Sequence, residues 1–581
     1  MDEITNGLEK EPKDSIDSVD GTPTVEDKIP NEKTETPEPQ ESTNFSEAEA
    51  TPEANDEATP KATDEVIPEA APDKKEKKKR KMKRSDKIFI AIFNPLLALV
   101  IAFLVVCLPF LKDRSVIFKK EAVYGNVFVA ALGDKYERLL ATKNEKIVVV
   151  GGSSVAFGLD SERLSQRTGM EVVNFGLYAT LGSKIMLDLS EDGLNSGDIV
   201  IFAPELNAQT MSLYFGAKSA WQAIDANHSL YETVKKNNGQ DLADAKDEFI
   251  AEKLEYLEDG APNPTGVYNR ANFNKYGDVD YDRPYNTMTL GYDPNTVFNL
   301  DPAEFSEDFI AYFNSYCEKM KEKGVTVYFS FCPINSLSLA EGVTDETIDA
   351  LNLYFHENLN CTVISDLNDY IMDWGYFYDT NLHLNDAGVI ARTERLANDL
   401  RAAHGLGDEL TVSIPEPPGI DPSLNAGGEG DSEGADLFIY EDETMPDGTV
   451  VGVRIVGLSD KGKEFSAKEL RIPASVDGKR VLRITSDSLA GLTVDSLYIG
   501  DGMSYIDDAA FRGASIKKVY LEFDCVTCTV STPSNDDKAA ADGFGFMKGA
   551  PEGCLIACPE EYRNNYREDY TWSHYYKYFE Q

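Results

Sequence analysis

The sequence predicts an α/β fold: a five-stranded, parallel, doubly wound sheet, preceded by one transmembrane helix and followed by a short β-rich segment. Three observations carry this reading. Short β-branched runs alternate with helix-period patterns between Lys146 and Leu400, as expected for strands buried on both faces and joined by crossover helices. The stretch 88–111 is uncharged, apolar and about as long as a bilayer core requires. Beyond residue 437, apolar positions recur with a period of about 22 residues.

The chain has 581 residues and a net charge of -45, enough length for two or three domains with tails. Residues 1–73 are rich in Glu, Asp, Thr, Pro and Ala and almost free of aromatics. They bury too little apolar surface to offset ordering entropy, so they read as a disordered acidic tail. A basic juxtamembrane segment, 74–87, abuts the span at 88–111. That placement keeps the amino terminus cytoplasmic, puts the carboxyl-terminal domains outside the cell as a single-pass membrane protein, and suits contact with anionic lipid. No small-x-small cleavage site precedes Lys112, which favours an uncleaved anchor over a signal peptide. Val106 stands where a small residue would precede an acylated Cys107. The exported part is strongly acidic and repels nucleic acid and anionic polymers. Membrane and neutral or acylated glycans are the partners that fit.

Residues 112–407 form the α/β unit. A first helix is expected over 123–140, strands over 147–150, 172–174, 199–202, 325–331 and 362–364, and helices over 302–323 and 387–400. The insertion 208–300 is too long for a simple crossover. It contains Tyr268-Asn-Arg270-Ala-Asn272-Phe-Asn274-Lys-Tyr276-Gly-Asp278, whose rings and amides suit stacking on and hydrogen bonding to sugars. Arg270, Asn272 and Tyr276 are therefore candidate substrate-binding residues of a lid, although the same composition also fits a solvated loop.

Two further motifs carry chemistry. The first strand runs into Gly151-Gly152-Ser153-Ser154, and Asp379-Thr-Asn-Leu-His383 precedes the helix expected over 387–400. A serine hydroxyl is a poor nucleophile at neutral pH. It needs an imidazole to take its proton and a carboxylate to hold that imidazole in one tautomer. Ser154, His383 and Asp379 are the candidates for these roles. The other histidines, His228, His356, His404 and His574, lack metal-ligand spacing, and no cofactor or metal is implied.

These motifs resemble the SGNH/GDSL hydrolase superfamily over about residues 145–405. Gly152-Ser153-Ser154-Val-Ala-Phe-Gly158 is similar to that family's Gly-Asp-Ser-x-x-x-Gly; aligning on Gly158 gives Ser154 the nucleophile's place and leaves Ser153 as the alternative. The family's Asp-x-x-His is one residue longer here. Val172-Val-Asn174-Phe-Gly176 resembles the second family block, which implies the N–H groups of Gly176 and Ser154 as oxyanion donors. In place of the third block, Gly-x-Asn-Asp, the chain has Ala203-Pro-Glu205-Leu-Asn207, with Asn207 or Glu205 left to fill that position. The resemblance implies a serine esterase or deacylase acting on acylated cell-envelope glycans. An O-acyltransferase of wall polymers and a non-catalytic glycan-binding or adhesion scaffold are the alternatives.

A linker, 408–436, contains Pro415-Glu-Pro-Pro-Gly419 and Ala426-Gly-Gly-Glu-Gly430. In 437–581, Ile484 recurs as Ile506, Leu489 as Phe511, Leu497 as Val519 and Ile499 as Leu521. One strand per repeat followed by a turn stacks into a short solenoid. Leu470-Arg-Ile-Pro473 and the segments starting at Ile484 and Ile506 resemble BspA-type leucine-rich repeats, which implies a surface protein partner. Cys525-x-x-Cys528 and Cys554-x-x-x-Cys558 fit zinc, disulfides or buried thiols, and an exported setting favours disulfides.

Overall fold

The computed structural model describes residues 83–422, 432–533, 541–569 and 571–580. The acidic tail at 1–73, the basic segment up to residue 82 and the glycine-rich part of the linker at 426–430 lie outside the described residues.

Strands β1 (Lys146–Gly151), β2 (Glu171–Gly176), β3 (Ile199–Phe202), β4 (Thr326–Phe329) and β5 (Thr362–Val363) form one sheet in the order β2-β1-β3-β4-β5, all parallel. Alternate residues of β1 enter different cores. Val148 and Val150 pack with Ile185, Leu189, Phe309 and Phe313, while Ile147 and Val149 pack with Leu164, Leu396 and Leu400. Helices thus cover both faces, which is why these strands are continuously apolar rather than alternating. A buried ion pair ties the start of β1 to the start of β3, Lys146 Nζ to Asp198 Oδ2 at 2.6 Å.

Two expected helices are shorter than their apolar pattern. Over 123–140 the chain forms a 3-10 turn, Phe128–Ala131, and then the helix Leu132–Ala141. The residues before it are diverted because the Asp225 carboxylate takes the amides of Val123 and Tyr124 at 2.8 and 3.3 Å. Over 302–323 the helix begins only at Glu307, where Ser306 Oγ caps the Phe309 amide at 3.3 Å.

The apolar span is a continuous helical rod, Arg84–Ala102, a π-helical turn Phe103–Cys107, and Leu108–Lys119. Over Lys87–Lys119 it is long and apolar enough to cross a membrane. Ile92 and Leu99 are 65% and 67% exposed, an arrangement that water penalises by about 25 cal/mol per Å². The far end of the rod enters the α/β unit. Ile117 is buried in its core, Lys246 Nζ pairs with Asp113 at 2.7 Å, and Phe118 meets Tyr231 edge-on at 5.0 Å.

The carboxyl-terminal region is β-rich and built on two ladders. One runs Ser466–Arg471, Thr493–Ile499, Ser515–Leu521, Leu555–Ala557, all parallel; the other runs Val450–Leu458, Lys479–Ile484, Tyr505–Ile506, Thr529–Val530, also parallel, with Phe438–Thr444 added antiparallel. The register follows the sequence period: Ile484 pairs with Ile506, Leu497 with Val519 and Ile499 with Leu521. All six belong to one apolar core. The region contacts the α/β unit through Glu568, which accepts from Gln222 Nε2 at 2.7 Å and from the Tyr256 hydroxyl. All eight cysteines are free thiols, and burial pushes those of Cys554 and Cys558 up to about 11. Among the described residues no group of three or more His, Cys, Asp or Glu is placed to hold a metal ion.

Candidate active site

Ser153 and Ser154 follow the carboxyl end of β1, and Glu205 and Asn207 that of β3, where the strand order reverses and open α/β sheets form their crevice. β1 passes through Gly152 into a helix of five residues, Ser153–Phe157. So short a helix cannot satisfy its own carbonyls. Partners from elsewhere do so: Arg392 Nη1 donates to Ser154 O at 2.7 Å, Asn174 Nδ2 to Val155 O at 3.0 Å, the Val279 amide to Ala156 O at 3.1 Å, and Arg283 Nη1 to Phe157 O at 3.1 Å. Three distant segments, at Asn174, at Val279 to Arg283 and at Arg392, therefore fix one turn of helix. At its start the Ser154 amide donates to Glu205 Oε1 at 2.8 Å, and an acidic group there complements the helix dipole. Gly152 makes this approach possible, since a Cβ would lie 2.3 and 2.5 Å from the two carboxylate oxygens. Gly176 does the same for Val155, whose Cβ would stand 2.3 Å from an added Cβ.

Asp379 and His383 meet across a tight turn. Phe377 and Leu384 form an antiparallel bridge, the Tyr378 amide donates to His383 O at 2.9 Å, and Thr380 Oγ1 accepts the His383 amide at 3.1 Å. This turn accommodates the extra residue relative to Asp-x-x-His and places His383 Nδ1 2.9 Å from Asp379 Oδ1. The Tyr268 hydroxyl donates to the other carboxylate oxygen, Oδ2, at 2.7 Å. Burial and the Asp379 charge hold the Tyr268 phenol well above its ordinary range, so it remains a donor. The imidazole lies flat on Phe157, with centroids 3.9 Å apart and planes 5° apart, and is 5% exposed. Because Nδ1 faces a carboxylate it carries the proton, which leaves Nε2 as the acceptor. Among the described residues Nε2 has no hydrogen-bond partner.

No protein-family model and no curated protein matches this chain.

The serines stand differently. Ser154 is 0% exposed and its enclosed Oγ has no hydrogen-bond partner among the described residues, while Ser153 keeps 7% of its surface. Among the described residues no hydrogen bond joins either hydroxyl to His383. Of the expected oxyanion donors, the Ser154 amide is held by Glu205 and the Gly176 amide by Asn174 Oδ1 at 3.0 Å. Asn207 uses its Oδ1 to cap the amides of Gln209 and Thr210, both at 3.0 Å. The three residues expected in a substrate lid engage the protein itself. Arg270 forks onto Asp134 at 2.6 and 2.7 Å, Asn272 Nδ2 donates to Gly266 O at 2.6 Å, and the Tyr276 ring lies under the Arg138 guanidinium at 5.0 Å. Of the residues that complete the site, Phe157 stood in the Gly152 to Gly158 motif only as a position without a role and Tyr268 in a stretch singled out for its rings, while Arg283 and Arg392 carried no motif.

Behind the short helix, Asp278 binds the insertion to β2. Its Oδ1 accepts from Ser161 Oγ at 2.6 Å and Asn174 Nδ2 at 2.9 Å. Lys135, 2% exposed, donates to Asn174 O at 3.3 Å and to Gly277 O. Burial pushes its ammonium down to about 7, against the pull of Asp278 and Asp134. The unfolded lysine keeps its proton to about 10.4. Below pH 7 both states are protonated and the burial penalty is complete. Above it the unfolded chain binds the extra proton, so this group makes stability rise with pH by up to about 1.4 kcal/mol per unit between about 7 and 10. Urea unfolding of wild type and Lys135→Met at pH 6.5 and 9 is expected to show the variant gaining less from the higher pH. Equal gains would mean that Lys135 is not titrating there.

Proposed function

We propose that the chain is a membrane-anchored, extracellular serine acyl-transfer enzyme of SGNH type, an esterase or deacylase of acylated cell-envelope glycans. The observation that carries this reading is the Tyr268–Asp379–His383 relay, with Nδ1 bound at 2.9 Å and Nε2 without a hydrogen-bond partner among the described residues, stacked on the helix that bears the two serines. A serine in that helix attacks the ester carbonyl, His383 Nε2 takes its proton and returns it to the departing alcohol, and Asp379 holds the imidazolium. Water then releases the acyl group. The repeats, read as a solenoid, supply adhesion to a surface partner, and the anchor keeps its amino terminus cytoplasmic.

Transfer to a saccharide hydroxyl in place of water is the second reading. It is favoured by the enclosure of His383, which is 5% exposed beside Phe157 and Tyr268, because a dry site protects an acyl-enzyme from hydrolysis. The test is detergent-solubilised full-length protein with p-nitrophenyl acetate, and with an acetylated oligosaccharide in the presence and absence of an unacylated acceptor. His383-dependent acetate release in water supports the esterase, and acetylated acceptor without free acetate supports the transferase. No His383-dependent product with either substrate would sink both.

A further inference from the structure

The motif position that favours Ser154 and the surroundings of the two serines point in different directions. All three polar groups of Ser154 are turned into the protein: its amide donates to Glu205 at 2.8 Å, its carbonyl accepts from Arg392 at 2.7 Å, and its hydroxyl is enclosed without a partner. Glu205 and Arg392 are themselves 1% exposed. An acyl adduct on Ser154 would develop its oxyanion beside its own amide, where the Glu205 carboxylate already sits. Two negative charges would then share one buried donor, and like charges in such a place repel strongly.

Ser153 has none of these constraints. It keeps 7% of its surface, and no hydrogen bond to its hydroxyl is present among the described residues. Ser153 and Ser154 precede Phe157 by four and three residues in the Ser153–Phe157 helix, so both spacings bring a serine beside that ring. Phe157 is the platform on which the His383 imidazole stacks at 3.9 Å. Of the two serines beside this platform, only Ser153 retains exposed surface, 7% against 0% for Ser154.

Resting on the acyl-transfer reading, we propose that Ser153 rather than Ser154 is the nucleophile, with Glu205 a positioning residue that caps the helix from behind. The Ser153 Oγ–H bond breaks as Oγ bonds to the acyl carbon, and the proton passes to His383 Nε2. Collapse breaks the bond from the acyl carbon to the leaving oxygen, which takes that proton, and a water or saccharide hydroxyl repeats the sequence in reverse to free the serine.

The test is full-length protein in detergent treated with an alkyl fluorophosphonate and fragmented by tandem mass spectrometry, which separates adjacent serines. The adduct is expected on Ser153, with loss of fluoride. Ser153→Ala is expected to lose it and to lower p-nitrophenyl acetate turnover by at least about 10³-fold with an unchanged melting temperature. An adduct on Ser154 overturns the assignment and leaves the acyl-transfer reading standing. A wild-type protein that takes no adduct and turns over no ester overturns both. If Ser153→Ala does not fold, the wild-type adduct map alone decides.

Discussion

Replacing His383 by alanine is expected to lower ester turnover by at least about 10³-fold, and Asp379→Asn by about 10²- to 10⁴-fold. His383 is the imidazole stacked on the serine helix, and its role depends on its tautomer. With Asp379 Oδ1 at 2.9 Å from Nδ1, the proton sits on Nδ1 and Nε2 accepts. An asparagine amide in its place presents either a donor or an acceptor to Nδ1, and the wrong choice moves the proton to Nε2. Tyr268→Phe removes one charge-assisted hydrogen bond to the carboxylate, at 2.7 Å. Such bonds contribute about 1.5–3 kcal/mol, so a loss of roughly 10- to 100-fold in kcat with little change in KM is expected. The three variants should rank His383→Ala, Asp379→Asn, Tyr268→Phe in severity. Turnover by His383→Ala within threefold of wild type would remove the imidazole from the chemistry.

How far this site was legible in the sequence follows from the range of the forces that build it. β1 to β3 were readable because a strand covered on both faces must be apolar at every position, and Lys146–Gly151 and Ile199–Phe202 fall within a residue or two of the runs that announce them. The repeat period was legible for a related reason, since parallel stacking puts equivalent residues in register, as with Ile499 and Leu521. Asp379 and His383 are local, four residues apart. Tyr268, Arg283 and Arg392 act on partners more than a hundred residues away, and nothing in the local pattern of a tyrosine or arginine records such a partner. The polar insertion shows the same limit. Composition alone does not tell an arginine waiting for a ligand from one forked onto Asp134. The helix expected over 123–140 forms only from Leu132, because apolar periodicity cannot see Asp225, which takes the amides of Val123 and Tyr124.

That carboxylate is also the place where stability should be most sensitive. Asp225 and Lys253 are both 0% exposed and ion-paired, and the second oxygen of Asp225 holds the amides that connect the apolar helix to the α/β unit. Asp225→Ala strands a buried ammonium and frees two buried N–H groups. Breaking a buried pair costs about 3–5 kcal/mol, and each unpaired buried donor adds about 1–3 kcal/mol if water does not reach it. The expected result is a lower urea midpoint together with protease cleavage near residues 119–124, which would release the α/β unit from detergent micelles. The double variant Asp225→Leu/Lys253→Met removes both charges and should recover much of the loss in midpoint. It should not restore protection of the connector, because leucine cannot accept from Val123 and Tyr124. If Asp225→Ala unfolds like wild type and its connector stays uncut, the carboxylate is not what joins the apolar helix to the rest of the molecule.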